Sequence, residues 1–220
     1  NCYIKDVNVD AEGNPMILYV TSDNHLTGPD GGEREWEVAR WNGKEWEHTF
    51  ITNSTHCYDS GALYVDGEEW NVVGPTQPGP QYWGTGGEMA IWQTSNNGVI
   101  WERVSDLTRN SVRNHSYSRR PQNAHPDFYA FWADGDADRQ SISYLYFCNK
   151  AGEVFRMPYT MKEEWQRPEK VVVKPVFDAR KAVRSKHPRI LMDAGEMADY
   201  RKKVLGRGEG WQHLKQMEKV

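Results

Sequence analysis

Between Leu107 and Pro126 the chain carries four arginines, Arg109, Arg113, Arg119 and Arg120, and two histidines, His115 and His125, without one Asp or Glu. The whole chain has a formal net charge of -4 at pH 7, so this stretch would concentrate an anion while the remaining surface stays neutral or acidic. Arg119 and Arg120 offer planar forks that match a carboxylate or sulfate, and Arg113 and His125 stand beside them as candidate substrate-binding groups. The competing reading pairs these arginines with acids such as Asp134 and Asp136, brought near by folding. His115 and Tyr117 lie two apart, and on a strand such residues share a face. An imidazole that titrates near neutrality then stands beside a phenolic proton, the pair that proton removal and proton donation around one substrate require. The alternative is a structural histidine beside a packed tyrosine. His56 and Tyr58 repeat the spacing about sixty residues earlier, so both pairs could converge on one opening.

Other residues point to weaker chemistry. Asp134, Asp136 and Asp138 alternate after Trp132 and could give oxygens to a calcium ion, but the Gly-spaced loop of an EF-hand is absent, and a solvated turn is the preferred reading. His56 and Cys57 could join a zinc site with a distant histidine. Tyr82 and Trp83, followed by Gly84-Thr85-Gly86-Gly87, form an aromatic loop able to stack on sugar rings or to pack over a sheet edge. No phosphate-cradling glycine loop, dinucleotide fingerprint, nucleophile elbow or RNA-binding module is found. No cofactor is required by these residues; calcium or zinc would be structural.

The elements that must position these groups read as short strands. Tyr3 to Val9, Met16 to Thr21, Trp36 to Trp41 and Glu45 to Ile51 form one set; Ser60 to Val65, Trp70 to Gly74, Met89 to Thr94 and Ile100 to Val104 a second; Ser116 to Arg119, Phe128 to Trp132, Ser143 to Cys148 and Glu153 to Met157 a third. Asn42-Gly43 reads as a two-residue hairpin, and Asn97-Gly98 as the tip of another, because both residue types tolerate left-handed backbone. The fold class expected is therefore mainly β: about three four-stranded antiparallel propeller blades, near 1–52, 57–107 and 115–158, within a partial propeller over 1–160. A sandwich of short strands is the alternative. Residues 161–192 read as a connector that holds one more short strand, Val171 to Val173, and a basic stretch from Asp178 to His187. Over 193–220 two short helices are expected, the first capped by Asp193 and Glu196 and carrying Met197, Tyr200 and Val204 on one face, the second carrying Trp211, Leu214 and Met217.

Composition agrees with a strand-rich, turn-rich chain: among 220 residues are 10 Trp, 11 Tyr, 19 Gly and 11 Pro. The mild acidity argues against a general nucleic-acid binder, and no apolar run is long enough to span a membrane. Three cysteines allow one disulfide and one free thiol. The chain opens on Asn1-Cys2-Tyr3 and alternates like a strand at once, so it is expected to begin partway through a larger protein, secreted or periplasmic, whose remaining blades lie elsewhere.

Thr94-Ser95-Asn96-Asn97-Gly98 followed by Trp101 is similar to a degenerate Asp-box, with Asn96 in the acidic position. Together with Tyr3-Ile-Lys-Asp-Val7, Gly13-Asn-Pro-Met-Ile-Leu-Tyr19, Trp41-Asn-Gly-Lys-Glu-Trp46, His56-Cys-Tyr-Asp-Ser-Gly61, Arg119-Arg-Pro121 and Phe131-Trp-Ala-Asp-Gly135, it resembles the BNR-repeat, sialidase-like propeller family that includes ulvan lyases and related polysaccharide lyases. His187-Pro-Arg-Ile-Leu191 and the residues after it resemble the opening of a heparinase II/III-like helical domain. The resemblance implies cleavage of an anionic, uronate-containing glycan by β-elimination. By that likeness His115 is the base, Tyr117 the acid, Arg119 or Arg120 the carboxylate neutraliser and His56 a second subsite histidine. A non-catalytic glycan-binding propeller and a sialidase-type hydrolase drawing on Asp59, Glu88 or Asp134 are the alternatives.

Overall fold

The structure, a computed structural model, describes residues 1–56 and 60–173. These residues build three antiparallel sheets. The first contains β1 (Cys2–Val9), β2 (Pro15–Ser22), β3 (Arg34–Trp41) and β4 (Trp46–Ser54). The second contains β5 (Ala62–Asp66), β6 (Glu69–Gln77), β7 (Glu88–Thr94) and β8 (Glu102–Asp106). The third contains β9 (Asn114–Arg119), β10 (Ala130–Gly135), β11 (Leu145–Cys148), β12 (Val154–Arg156) and β13 (Glu169–Val171). Each sheet is a meander in which every strand pairs with its neighbour in sequence.

Alternation in the sequence decides which faces are buried. Met16, Leu18 and Val20 of β2 and Trp36 and Val38 of β3 point to one side, where they pack with Leu63, Trp70 and Val72 of the second sheet. The opposite face of the second sheet sends Tyr64, Val73, Met89 and Ile91 against Ala130, Trp132, Tyr146 and Val154 of the third. The second sheet is thus buried on both faces. Its close approach to the first requires glycine at Gly61, where a Cβ would come within 2.7 Å of the Trp36 ring and 2.8 Å of Leu18.

The first strands of the three sheets, each at a sheet edge, are tied by one carboxylate. Asp6 of β1 accepts from the Leu63 backbone N–H of β5 at 2.8 Å and from Arg120, just past β9, at 3.4 Å. The Thr94 to Trp101 loop closes on itself: Thr94 donates to Asn96 Oδ1 at 2.7 Å, Gly98 N–H donates to the Thr94 hydroxyl at 3.2 Å, and the return strand expected from Ile100 begins at Glu102. Asn97 and Gly98 both hold positive φ, 55° and 86°.

Several expectations are corrected. No sheet closes into a propeller; the three sheets form an open stack, and the third has five strands because β13 pairs with β12. Hairpin repeats dictate local four-stranded meanders, whereas closure depends on how many sheets surround one axis, which hairpin spacing does not encode. The Asn42-Gly43 turn is a four-residue loop, since Trp41 pairs with Trp46 and Asn42 N–H donates to the Glu45 carbonyl at 3.1 Å. The strand expected over Val171 to Val173 lies at Glu169–Val171. The described residues contain one short 3-10 turn, Gly28–Gly31, and no α-helix. Both helices expected over 193–220, and the basic stretch from Asp178 to His187, lie outside the described residues. No helix among the described residues is long and apolar enough to cross a membrane.

Candidate functional site

Strand β9 carries most of the residues singled out above, and a bulge in its pairing with β10 decides where they point. Phe131 faces Arg119 and Ala133 faces Ser116, so the β9 side has one extra residue between these partners. Tyr117 takes up the irregularity with φ of 60°, left-handed backbone that a side chain adopts at a cost. Alternation breaks there. His115 is 3% exposed, whereas Tyr117 is 52% exposed. The expectation that the two share one face is therefore corrected: β9 turns its imidazole into the core and its phenol toward solvent.

His115 is held at both nitrogens. Trp132 Nε1–H donates to Nδ1 at 3.0 Å, so Nδ1 is the bare nitrogen and Nε2 carries the proton, which it donates to Ser111 Oγ at 3.0 Å. Ser111 in turn donates its hydroxyl to one oxygen of Glu88 at 2.8 Å and its backbone N–H to the other at 2.7 Å. The Tyr146 ring meets the imidazole edge to face with centroids 4.8 Å apart. Burial pushes the His115 pKa down to about 4; the carboxylates of Glu88 and Asp134 pull the other way, and the Arg113 guanidinium adds to the lowering. At neutral pH this is an uncharged imidazole with its lone pair already engaged.

The remaining candidates are distributed as follows. Arg113 is ion-paired with the buried Asp134 at 2.8 Å and lies over the Tyr144 ring. Arg120 reaches Asp6 and the Val7 carbonyl, and Arg109 is paired with Asp106. Arg119 is exposed and donates to Ser60 Oγ, using one of its five N–H groups. His56 is 4% exposed, and its Nε2 bonds the Pro75 carbonyl at 2.8 Å. His125 is exposed beside Asp127. Tyr82 and Trp83 meet edge to face with centroids 5.4 Å apart, and Thr55 anchors the loop by donating to the Tyr82 carbonyl. Tyr58, Cys57 and Asp59 lie outside the described residues.

Asn114 and Ser111 were not singled out by the sequence, and Glu88 was named only as a carboxylate for a hydrolase. Asn114 accepts from Gln81 N–H at 3.1 Å and donates to the carbonyls of Gln81 and Thr85 at 2.9 and 3.1 Å, fixing the aromatic loop against the start of β9. Gly86 must lack a side chain there, since a Cβ would lie 2.3 Å from the His115 carbonyl oxygen. The single available cue for Asn114 was its place beside His115. Glu88 and Ser111 are 23 residues apart, and no local pattern joins them.

The aspartates weighed as calcium ligands take other roles. Asp134 binds Arg113 and accepts from Tyr144 N–H at 2.6 Å, while Asp136 caps its own turn through the N–H groups of Asp138 and Arg139. Among the described residues no three His, Cys, Asp or Glu side chains are grouped to hold a metal ion. Cys2 is an exposed free thiol, and Cys148 is a buried one whose pKa burial raises to about 12. The carboxylates considered for a hydrolase, Glu88 and Asp134, are both buried and hydrogen-bonded.

No family model matches the chain, and no curated protein matches it. Two solved structures are similar to it: a polysaccharide lyase of family PL25, an ulvan lyase, bound to -[GlcA(1-4)Rha3S]-, and the PL25 ulvan lyase in a second structure. Each is 18% identical, with a TM-score of 0.52, and the match covers 68% of this chain. The chain spans 32% of the length of either one. What is shared at this distance is the fold, so the chain has the strand architecture of part of an ulvan lyase.

Proposed function

We propose that this chain is part of a polysaccharide lyase that cleaves an anionic, uronate-containing glycan by β-elimination. The observation that carries the reading is Tyr117, an exposed phenol held on a strained bulge two residues before the exposed Arg119. Backbone strain of this kind collects where a side chain must be aimed for function. The fold shared with the ulvan lyases supports the same reading.

In the proposed reaction Arg119 binds the uronate carboxylate and stabilises the negative charge that grows on it as the neighbouring C–H bond breaks. Tyr117, as phenolate, takes the proton from the carbon beside the carboxylate. The electron pair left behind forms the C=C bond, the glycosidic C–O bond breaks, and the leaving oxygen takes the proton back from the phenol. Tyr117 thus serves as base and acid in turn. His115 positions β9 in this scheme, because its lone pair is occupied by Trp132. The Tyr82-Trp83 loop would line a flanking subsite, whereas His56 is buried and bonded to the Pro75 carbonyl.

Glycan binding without turnover is the second reading, favoured by the closed hydrogen-bond chain that engages His115. The test follows new ultraviolet absorbance from unsaturated uronate ends when the protein is given an anionic polysaccharide. Tyr117→Phe is expected to abolish that signal while retaining glycan binding. Equal turnover in the Tyr117→Phe variant removes the proposed chemistry, and binding without any turnover by the parent protein selects the second reading.

A further inference from the structure

The loop that supplies Ser111 to Glu88 also walls a cleft to which no role has yet been given. It has a volume of about 450 Å³ and opens between the end of β6, the edge strand β8 and residues 108–111. Arg103, Asp106, Arg109, Gln77 and Glu88 supply its polar groups, and Pro78 and Pro80 supply apolar wall. None of Tyr117, Arg119, His56 or the Tyr82-Trp83 pair lines it.

The walls are rigid for stated reasons. Leu107 and Thr108 both donate backbone N–H groups to the Met89 carbonyl, at 2.8 and 3.3 Å, and the Thr108 hydroxyl accepts from Met89 N–H at 2.8 Å. Ser111 locks the far end of the loop to Glu88, and Asn110 between them holds a left-handed φ of 53°. Asp106 sits between two guanidinium groups, 3.5 Å from Arg103 Nε and paired with Arg109, while Arg103 also donates to the Gln77 side-chain carbonyl. The cleft is therefore already organised before any ligand enters.

Its charge decides the ligand class. Arg103 and Arg109 are balanced by Asp106 and Glu88, so the cleft has no excess charge to hold a free anion, and an anion would have to displace Asp106 from both arginines. Planar donors and acceptors set side by side, against the C–H faces of two prolines, suit instead a ring bearing several hydroxyls on an apolar face. We propose that this cleft is a subsite for an uncharged sugar ring of the glycan chain, separate from the uronate recognised near Tyr117 and Arg119. This rests on the carbohydrate reading above and adds to it a second, neutral point of recognition.

The test titrates the protein with methyl α-L-rhamnopyranoside, a neutral deoxyhexoside, and in parallel with sodium glucuronate, following backbone amide shifts by NMR. The neutral glycoside is expected to move the amides of Gln77, Gly79 and residues 108–111. Arg103→Ala and Asp106→Asn, both at a sheet edge, are expected to weaken that binding about tenfold each, as loss of a charge-assisted hydrogen bond does. Thermal unfolding confirms that each variant is folded, and either one suffices. Shifts confined to glucuronate, shifts elsewhere, or unchanged affinity in a folded variant would each overturn the subsite. The outcome is independent of turnover: lyase activity with no neutral-sugar binding sinks the cleft alone, and neutral-sugar binding here without lyase activity sinks only the elimination chemistry.

Discussion

The buried imidazole of His115 makes stability depend on pH in a window that can be worked out. Its pKa is about 4 in the folded chain against an ordinary value of 6.5. Above pH 6.5 neither the folded nor the unfolded state binds this proton, and the full contribution is present. Between 6.5 and 4 the unfolded chain takes up the proton and the folded chain does not, so stability falls as pH falls. Below 4 the folded imidazole is protonated too, and the contribution is gone. The difference amounts to about 3 kcal/mol over the window, a large part of the stability of a domain this size. Structurally, the protonated ring would aim a second N–H at the Trp132 indole N–H that now donates to it. The measurement is the free energy of urea unfolding at pH 7.5, 6.5, 5.5 and 4.5, for the parent chain and for His115→Gln. The variant loses stability at every pH, but its curve should be flatter, by about 2–3 kcal/mol between the ends. Carboxylates away from His115 cancel in that comparison, and the Asp10 carboxyl, which burial alone would raise but its bonds to Asn14 and the Arg40 guanidinium hold at about 2, titrates below the window. Parallel curves would refute the reasoning, because they would mean that His115 is solvated or charged in the folded state.

Two further expectations concern packing and strain. Gly61→Ala should destabilise by about 1–3 kcal/mol, because the new methyl meets buried Trp36 and Leu18 that cannot retreat, whereas Gly135→Ala, with open space around it, should be neutral within about 0.5 kcal/mol; chemical denaturation of the pair checks the contrast. Tyr117→Gly removes left-handed strain of about 1–2 kcal/mol at an entropic cost of about 0.5–1 kcal/mol, so the variant should be as stable as its parent or slightly more so, while the proposed elimination would be lost. A clear drop in its melting temperature would show that the phenol supports the fold.

Much of the local structure was legible in the chain. Alternation of apolar and polar residues marks the strands from Tyr3 to Met157, and Asn97-Gly98 mark a left-handed turn that the structure shows. Each of these depends on contacts only a few residues apart, so spacing records them. The cationic stretch from Leu107 to Pro126 was equally visible, and Asp134 stood among the acids named as its partners, but which arginine takes it was not. Arg113 meets Asp134 across 21 residues and Arg120 meets Asp6 across 114, so which arginine stays exposed is a property of the fold.

The sequence by itself determined that the chain forms antiparallel meanders and that one segment gathers guanidinium and imidazole groups, since composition and period-two patterning are fixed residue by residue. The tertiary structure alone decided that the sheets stack openly instead of closing, because closure is a count of sheets around an axis. It alone decided that Tyr117 faces outward and His115 inward, because one extra residue in β9 opposite β10 reverses the alternation that spacing assumes. Burial then sets the protonation of His115, through a desolvation that no stretch of sequence contains.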